Sequence, residues 1–186
     1  MAENDSKIKN NEPKIAREGE RLRLRVATMD DLDYIMAAEN RPGNVEYIVP
    51  ESREAHRDGL DSESTVHLIV ERRDTNERVG FLMVSNLDNP DHEVEWRKVI
   101  IEDKGHGYGK EAMRLLMAWS FEEKKFHRGW LDCKDFNERA LHVYESVGLK
   151  REGLFRETLY VHDHYDSLVV LAILDREYFA LKEEEH

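Results

Sequence analysis

Apolar positions along the chain alternate between two-residue periods and helical stripes. Leu22, Leu24 and Val26 alternate with arginines across 21–26 and predict a half-buried first strand. Thr28 followed by Asp31 has the form of a capping box, with Asp in place of Glu. Leu32, Ile35 and Met36 mark the buried face of the helix it opens. Arg41, Pro42, Gly43 and Asn44 end that helix, and Pro50 predicts a second, more polar helix running to about Leu60. Val66 to Glu71 and Val79 to Ser85 flank the polar run 74–77, which predicts an antiparallel hairpin. The strand Glu93 to Ile101 passes from charged alternation to a continuous Val99, Ile100, Ile101 run as it enters the core.

Farther along, Ala112, Leu115, Leu116 and Trp119 recur at i, i+3, i+4 and i+7, with Met113, Met117 and Phe121 widening the stripe, so this helix lays one face on a sheet. Trp130 to Cys133 is a short strand. Asn137 is an N-cap, and the helix it starts buries Ala140, Val143, Tyr144 and Val147 before Gly148 stops it. Leu154 to Val161 and Ser167 to Leu174 predict strands around a turn at His162, Asp163 and His164, and Asp175 to Leu181 a last short helix. Residues 1–20 are nearly devoid of apolar side chains and read as a mobile or partly ordered arm, and 182–186 as a solvated tail. One domain over 21–181 remains, consistent with a chain of 186 residues.

Charge narrows the partners. Lys and Arg total 28 against 40 Asp and Glu, a net charge of −12, which argues against nucleic acid or an anionic membrane and suits either a cationic substrate or, equally, solubility alone. No apolar run approaches the roughly 20 residues of a membrane span, and residues 1–11 lack a secretory h-region. The expected location is cytoplasmic. The single Cys133 can form no internal disulfide and reads as a small buried strand residue. The groups 162–164 and 91–93 lack metal-ligand spacing and read as turn residues, so no metal is expected. Trp96 and Trp130 read as core.

The chemistry concentrates at Lys104, Gly105, His106, Gly107, Tyr108, Gly109 and Lys110, between an apolar strand and an amphipathic helix. Glycines at alternate positions leave backbone N–H groups unshielded at a helix N-terminus, an arrangement suited to an anion. A Rossmann fingerprint fails because Lys110 stands where its third glycine belongs. A P-loop fails because Lys104 replaces its first glycine and Glu111 its hydroxyl residue.

These residues resemble the GNAT superfamily of acetyl-coenzyme A dependent N-acetyltransferases, whose pattern is Arg/Gln-x-x-Gly-x-Gly/Ala after an apolar strand, with Lys104 here in the Arg/Gln position. A second similarity lies in 137–149, where Asn137, Ala140, Tyr144, Glu145 and Gly148 fit Asn-x-x-Ala-x-x-x-Tyr-Glu-x-x-Gly-Phe and Leu149 replaces the Phe. The subgroup resembles the ribosomal-protein alanine and spermidine acetyltransferases. The resemblance implies an α/β fold of mixed type, a single twisted mixed sheet flanked by helices with a splayed central strand pair.

The resemblance also implies roles. Lys104, Gly105, His106, Gly107, Tyr108, Gly109 and Lys110 would cradle the pyrophosphate of acetyl-coenzyme A. Backbone of Val99, Ile100 and Ile101 would pair with the pantetheine arm, Asn137 would hydrogen-bond it, and Ala140 and Tyr144 would also contact the cosubstrate. Tyr144 would be the general acid for the leaving thiolate, where an isolated tyrosine would merely pack a helix face. Glu95 is the best candidate base, with an ordinary surface carboxylate an equal alternative and Glu39 and Glu46 further candidates. The acceptor would be a primary amine, either a small amine or polyamine or a protein N-terminus, and a homodimer is expected by resemblance alone. A coenzyme A binding module without catalysis would need the glycine turn but neither Tyr144 nor a base.

Overall fold

The computed structural model describes residues 14–184. Its strands are β1 Ile15–Glu18, β2 Leu22–Val26, β3 Thr65–Arg72, β4 Arg78–Ser85, β5 Glu93–Ile101, β6 Arg128–Lys134, β7 Lys150–Val161 and β8 His164–Leu174. They form one sheet in the order β1-β2-β3-β4-β5-β6-β8-β7. All neighbours are antiparallel except the central pair β5 and β6. Helices α3 Tyr108–Ala118 and α4 Glu138–Ser146 pack on one face, and α1 Leu32–Glu39 and α2 Arg53–Asp61 on the other. Helix α5 Asp175–Glu184 follows β8.

The parallel ladder is short. β5 and β6 are opposed at Glu93 with Arg128, Val94 with Gly129 and Glu95 with Trp130, and then separate. Arg97 is an extra residue in β5, because Trp96 opposes Val84 while Lys98 opposes the adjacent Met83. This β-bulge exchanges the faces of the strand. Val94 and Trp96 pack in the core under α3, where Trp96 Nε1 donates to Ser120 Oγ at 3.1 Å. Past the bulge, Ile100 joins the core under α1 and α2, and Lys98 points the same way.

Several sequence expectations need correction. Order begins before Arg21: Ile15–Glu18 is a strand on β2, and Glu122 and Glu123 hold its Arg17. The rest of the expected arm, residues 1–13, lies outside the described residues. The second helix starts at Arg53, because the Ser52 side chain accepts from the Ala55 N–H at 3.1 Å and caps it there. The third helix runs on into a π-turn, Trp119–Glu123. The last hairpin closes through two residues, His162 (φ 49°) and Asp163 (φ 63°), so β8 begins at His164. Positive φ at both positions is the turn that matches strand twist. Helix α5 continues to Glu184, taking in most of the expected tail. Trp130 is only half-buried.

Candidate active site

The separation of β5 from β6 opens a cleft of about 590 Å³. Its walls are the C-terminal part of β5, the glycine turn with the start of α3, strand β6 and one face of α4. Segment 41–52 covers it. The predicted site residues Glu95, Val99, Ile100, Ile101, Lys104, Gly105, Gly107, Tyr108, Gly109, Lys110, Asn137, Ala140 and Tyr144 line this cleft, and His106, Glu39 and Glu46 do not. His106 instead pairs with Asp103 at 3.0 Å and stacks on Tyr108. Glu46 is exposed, its side chain outside the cleft.

Local backbone chemistry builds the turn. Gly105 (φ 91°) and Gly107 (φ 75°) adopt left-handed conformations that favour glycine, and Gly107 is the N-cap of α3. Gly109 is different: a Cβ there would meet Val143 at 3.9 Å, an ordinary contact. Among the described residues, no backbone hydrogen bond outside α3 is donated by the N–H groups of 105–110. These unpaired donors at the positive end of a helix fit a diphosphate. Arg21, which carried no sequence signal, braces the turn. Its guanidinium donates to the His106 carbonyl at 2.9 Å and to Glu111 at 2.8 Å, and lies over the Tyr108 ring.

The opposite end of the cleft is acidic. Glu95, the last residue of β5 opposed to β6, has its carboxyl pushed up by burial and by the charges of Asp132, Glu51 and Glu93, against the lowering effect of Arg97. Burial likewise pushes up Asp132. Tyr144 is buried on α4, and burial, with Cys133 and Asp132 nearby, raises its hydroxyl above the ordinary range, so it stays protonated. Burial pushes the Cys133 thiol up to about 12, which suppresses the thiolate a nucleophile would need. Asn137 Oδ1 accepts from the Ala140 N–H at 3.3 Å to cap α4, leaving its amide nitrogen as a donor for the cleft.

Glu39 belongs to a buried network and does not line the cleft. Both its oxygens are occupied: Oε1 by Lys98 Nζ, and Oε2 by the Glu51 N–H and His56 Nε2, each at 2.9 Å. Burial alone would raise this carboxyl, but hydrogen bonds from His56 and Lys98 outweigh it and hold the group below the usual carboxylate range. His56 Nδ1 lies 3.1 Å from His67 Nε2. Burial lowers His67 to about 4, so that ring is neutral, one proton is shared between the two facing nitrogens, and His67 Nδ1 is buried without a partner.

Sequence inspection missed the residues that join this network to the cleft. Arg97, the bulged residue, and Lys98 next to it reach the same Glu51 oxygen at 3.0 and 3.5 Å. Three lysines that line the cleft also bind its cover. Lys104 donates to the Gly43 carbonyl and Asn44 Oδ1 at 3.0 and 3.1 Å, Lys134 to the Glu46 carbonyl at 2.9 Å, and Lys98 to the Val49 carbonyl at 3.0 Å. Extending the two-residue period of Trp130 to Asp132 would have found that carboxylate on the open face of β6. Among the described residues, no group of three His, Cys, Asp or Glu side chains is placed to hold a metal ion.

The profile of the acetyltransferase (GNAT) domain matches residues 21–150, the part of the chain that builds the splayed strands, the glycine turn and α4. The chain belongs to the GNAT acetyltransferase family. It is an N-acetyltransferase. Spermidine N(1)-acetyltransferase of Escherichia coli K12 is 24% identical over 165 residues, covering 86% of this chain and 89% of the relative. YdaF of Bacillus subtilis, to which ribosomal N-acetyltransferase activity is ascribed, is 31% identical over 102 residues, 53% of this chain and 55% of that protein. The crystal structure of spermidine N-acetyltransferase from Vibrio cholerae, in complex with CoA and spermine, shares the fold at a TM-score of 0.77 and 21% identity, covering 87% of this chain and 99% of the other. No helix among the described residues is long and apolar enough to cross a membrane.

Proposed function

We propose that this N-acetyltransferase transfers the acetyl group of acetyl-coenzyme A to a primary amine of a small polycation, of which a polyamine is the simplest. The observation that carries the acceptor is the cluster of Glu51, Glu95 and Asp132 at the end of the cleft away from the glycine turn. Charges from Arg97 and Lys98 already meet Glu51. Glu95 and Asp132 are the carboxylates left for an incoming ammonium. The overall charge of −12 draws cations toward the same place.

The cosubstrate fits the remaining features. Unpaired N–H groups at 105–110 suit its diphosphate. The edge of β5 beyond Glu95, released by the splay, offers backbone groups to an extended arm over about 20 Å at 3.3 Å per residue. Bound there, acetyl-coenzyme A supplies an activated thioester. Glu95, directly or through water, removes a proton from the acceptor ammonium so that nitrogen carries a free lone pair. Backbone N–H groups on the freed edge past the bulge stabilise charge developing on the carbonyl oxygen. Tyr144 delivers its proton to the departing sulfur, giving coenzyme A thiol, and is reprotonated by the second proton that the attacking nitrogen sheds as the amide forms. No covalent link to the enzyme is needed, in keeping with the suppressed Cys133 thiolate.

The test is a panel of diamines, polyamines, monoamines and peptides incubated with acetyl-coenzyme A and read by mass spectrometry. Polycationic amines should gain one acetyl group with stoichiometric release of coenzyme A thiol. Acetylation confined to peptide N-termini would overturn the acceptor class, since Glu95 and Asp132 would then serve no second cation.

A further inference from the structure

Segment 41–52 covers the cleft, and polar bonds as well as apolar packing hold it there. Three of its contacts with the walls are ammonium groups bound to its backbone carbonyls, Lys104 at the Gly43 end, Lys134 at Glu46 and Lys98 at Val49, beside the ion pairs Arg41–Glu102 and Glu51–Arg97 and the packing of Ile48 on the core. Two of these anchors have other duties. Lys104 stands in the glycine turn, where a bound diphosphate competes for its ammonium. Lys98 balances the buried Glu39 carboxylate. Lys134 differs, because its partners are Asp166 Oδ2 at 2.8 Å and the Glu46 carbonyl, and the side chains of Lys134 and Asp166 are 4% and 5% exposed. A buried ion pair of this kind is weak evidence for stability, since desolvation offsets most of its attraction, and an apolar pair of similar volume commonly folds as well. What an apolar pair could not do is grip a carbonyl of the covering segment. The grip is local as well: the Lys134 ammonium lies 5.5 Å from the Phe136 ring, which meets Tyr47, the neighbour of Glu46, at 6.0 Å between centroids. Tyr47 and Ile48 line the cleft beside this anchor.

We propose that Lys134 is a positioning residue for the acceptor, fixing segment 43–49 over the acidic end of the cleft through the Glu46 carbonyl. This rests on the cleft being the site of acetyl transfer. Lys134 becomes the anchor that matters most once the cosubstrate's diphosphate engages Lys104. Its loss therefore weakens acceptor binding while leaving the diphosphate cradle and the reacting groups in place.

The experiment compares wild type with Lys134→Met, and with Lys134→Met/Asp166→Leu, in which no buried charge is left alone should the single variant fold poorly. Expected for both is a rise in amine KM of about tenfold, the usual scale for losing a charged hydrogen bond. Both kcat and the acetyl-coenzyme A Kd from calorimetry should stay within about twofold, amide exchange should quicken at 43–49, and Lys134→Arg should recover most of the KM. Unchanged amine KM, or a loss in kcat alone, overturns the proposal. If wild type acetylates no amine in the panel, the functional reading fails by itself. The exchange measurement still decides for the anchor: protection of 43–49 equal in wild type and both variants overturns it, and faster exchange confined to that segment upholds it.

Discussion

Glu95 and Trp130 are the last opposed residues of the parallel ladder between β5 and β6, and the two strands part immediately beyond them. The carboxylate of Glu95 thus sits at the vertex of the opening, half-buried and raised above the ordinary carboxylate range, chiefly by burial. A base works deprotonated, so turnover should fall as pH drops through that raised value, and the acidic limb of kcat/KM should lie above the roughly 4.3 of a free glutamate. Glu95→Gln should remove the limb and lower kcat by about 10²- to 10³-fold. A pH-rate profile with an unmoved limb in the variant would assign the base to another group.

Tyr144 offers a proton held firmly by burial, on the helix face that also carries Asn137 and Ala140. Tyr144→Phe keeps the ring that packs the core and removes only the hydroxyl. The expected result is a drop in kcat of about 10²-fold with acetyl-coenzyme A affinity unchanged by calorimetry. Turnover equal to wild type would dismiss the tyrosine as the acid.

The glycines of the turn should divide by backbone conformation. Gly107, at φ 75°, resists any side chain and most of all a β-branched one, so Gly107→Val should weaken acetyl-coenzyme A binding at least about tenfold by distorting the cradle. Gly109 is helical, and its added Cβ would only touch Val143, so Gly109→Ala should bind within about twofold of wild type. Equal affinities for all three proteins would remove the backbone from the account of binding.

The parts of the structure that the sequence made legible are those where one residue's pattern decides the outcome. The alternation through 22–26, the run at 99–101, the glycine spacing and the Asn137 cap were readable because periodicity and capping are local properties. Ile15–Glu18 was not, because four residues are too few to show a period and take their strand conformation from pairing with β2. The Arg97 bulge was hidden too: one extra residue leaves the alternation of β5 intact on paper while turning Lys98 to the other face of the sheet. Buried charges were the largest loss. Glu39, Lys98 and Lys134 look like solvated residues until the elements that enclose them are in place.

One glycine outside the cleft tests the buried histidine pair. In an exposed helix, Gly→Ala usually stabilises by up to about 1 kcal/mol. At Gly59 in α2, however, a Cβ would fall 2.8 Å from Cε1 of His67, a ring held between α2 and β3 by its hydrogen bond to His56. Gly59→Ala should therefore destabilise by about 1–3 kcal/mol in urea unfolding, as overpacking does. A gain in stability would show that the His67 ring yields without loss.

Acid stability should depend on Glu122, which joins both ends of the described chain. Its carboxylate takes Arg17 of β1 at 2.8 Å and Lys182 of α5 at 2.6 Å, and accepts from the Tyr178 hydroxyl at 2.5 Å. Burial would raise this group, yet the bonds from Lys182, Tyr178 and Arg17 bring it down to about 2. A carboxyl whose folded pKa is depressed stabilises the protein above its unfolded pKa, and that contribution is lost as protons bind. The window runs from the ordinary glutamate value near 4.5 down to about 2. Since much of the cluster meets solvent, screening reduces the contribution to about 1 kcal/mol. Glu122→Gln should lower stability by that amount at neutral pH in urea titrations, and flatten the decline between pH 5 and 2. Low salt should widen the difference between the two proteins and high salt narrow it. Parallel stability curves from pH 7 to 2 would mean that the cluster contributes nothing, and that β1 and α5 are held by packing, such as Tyr178 stacked on Phe121.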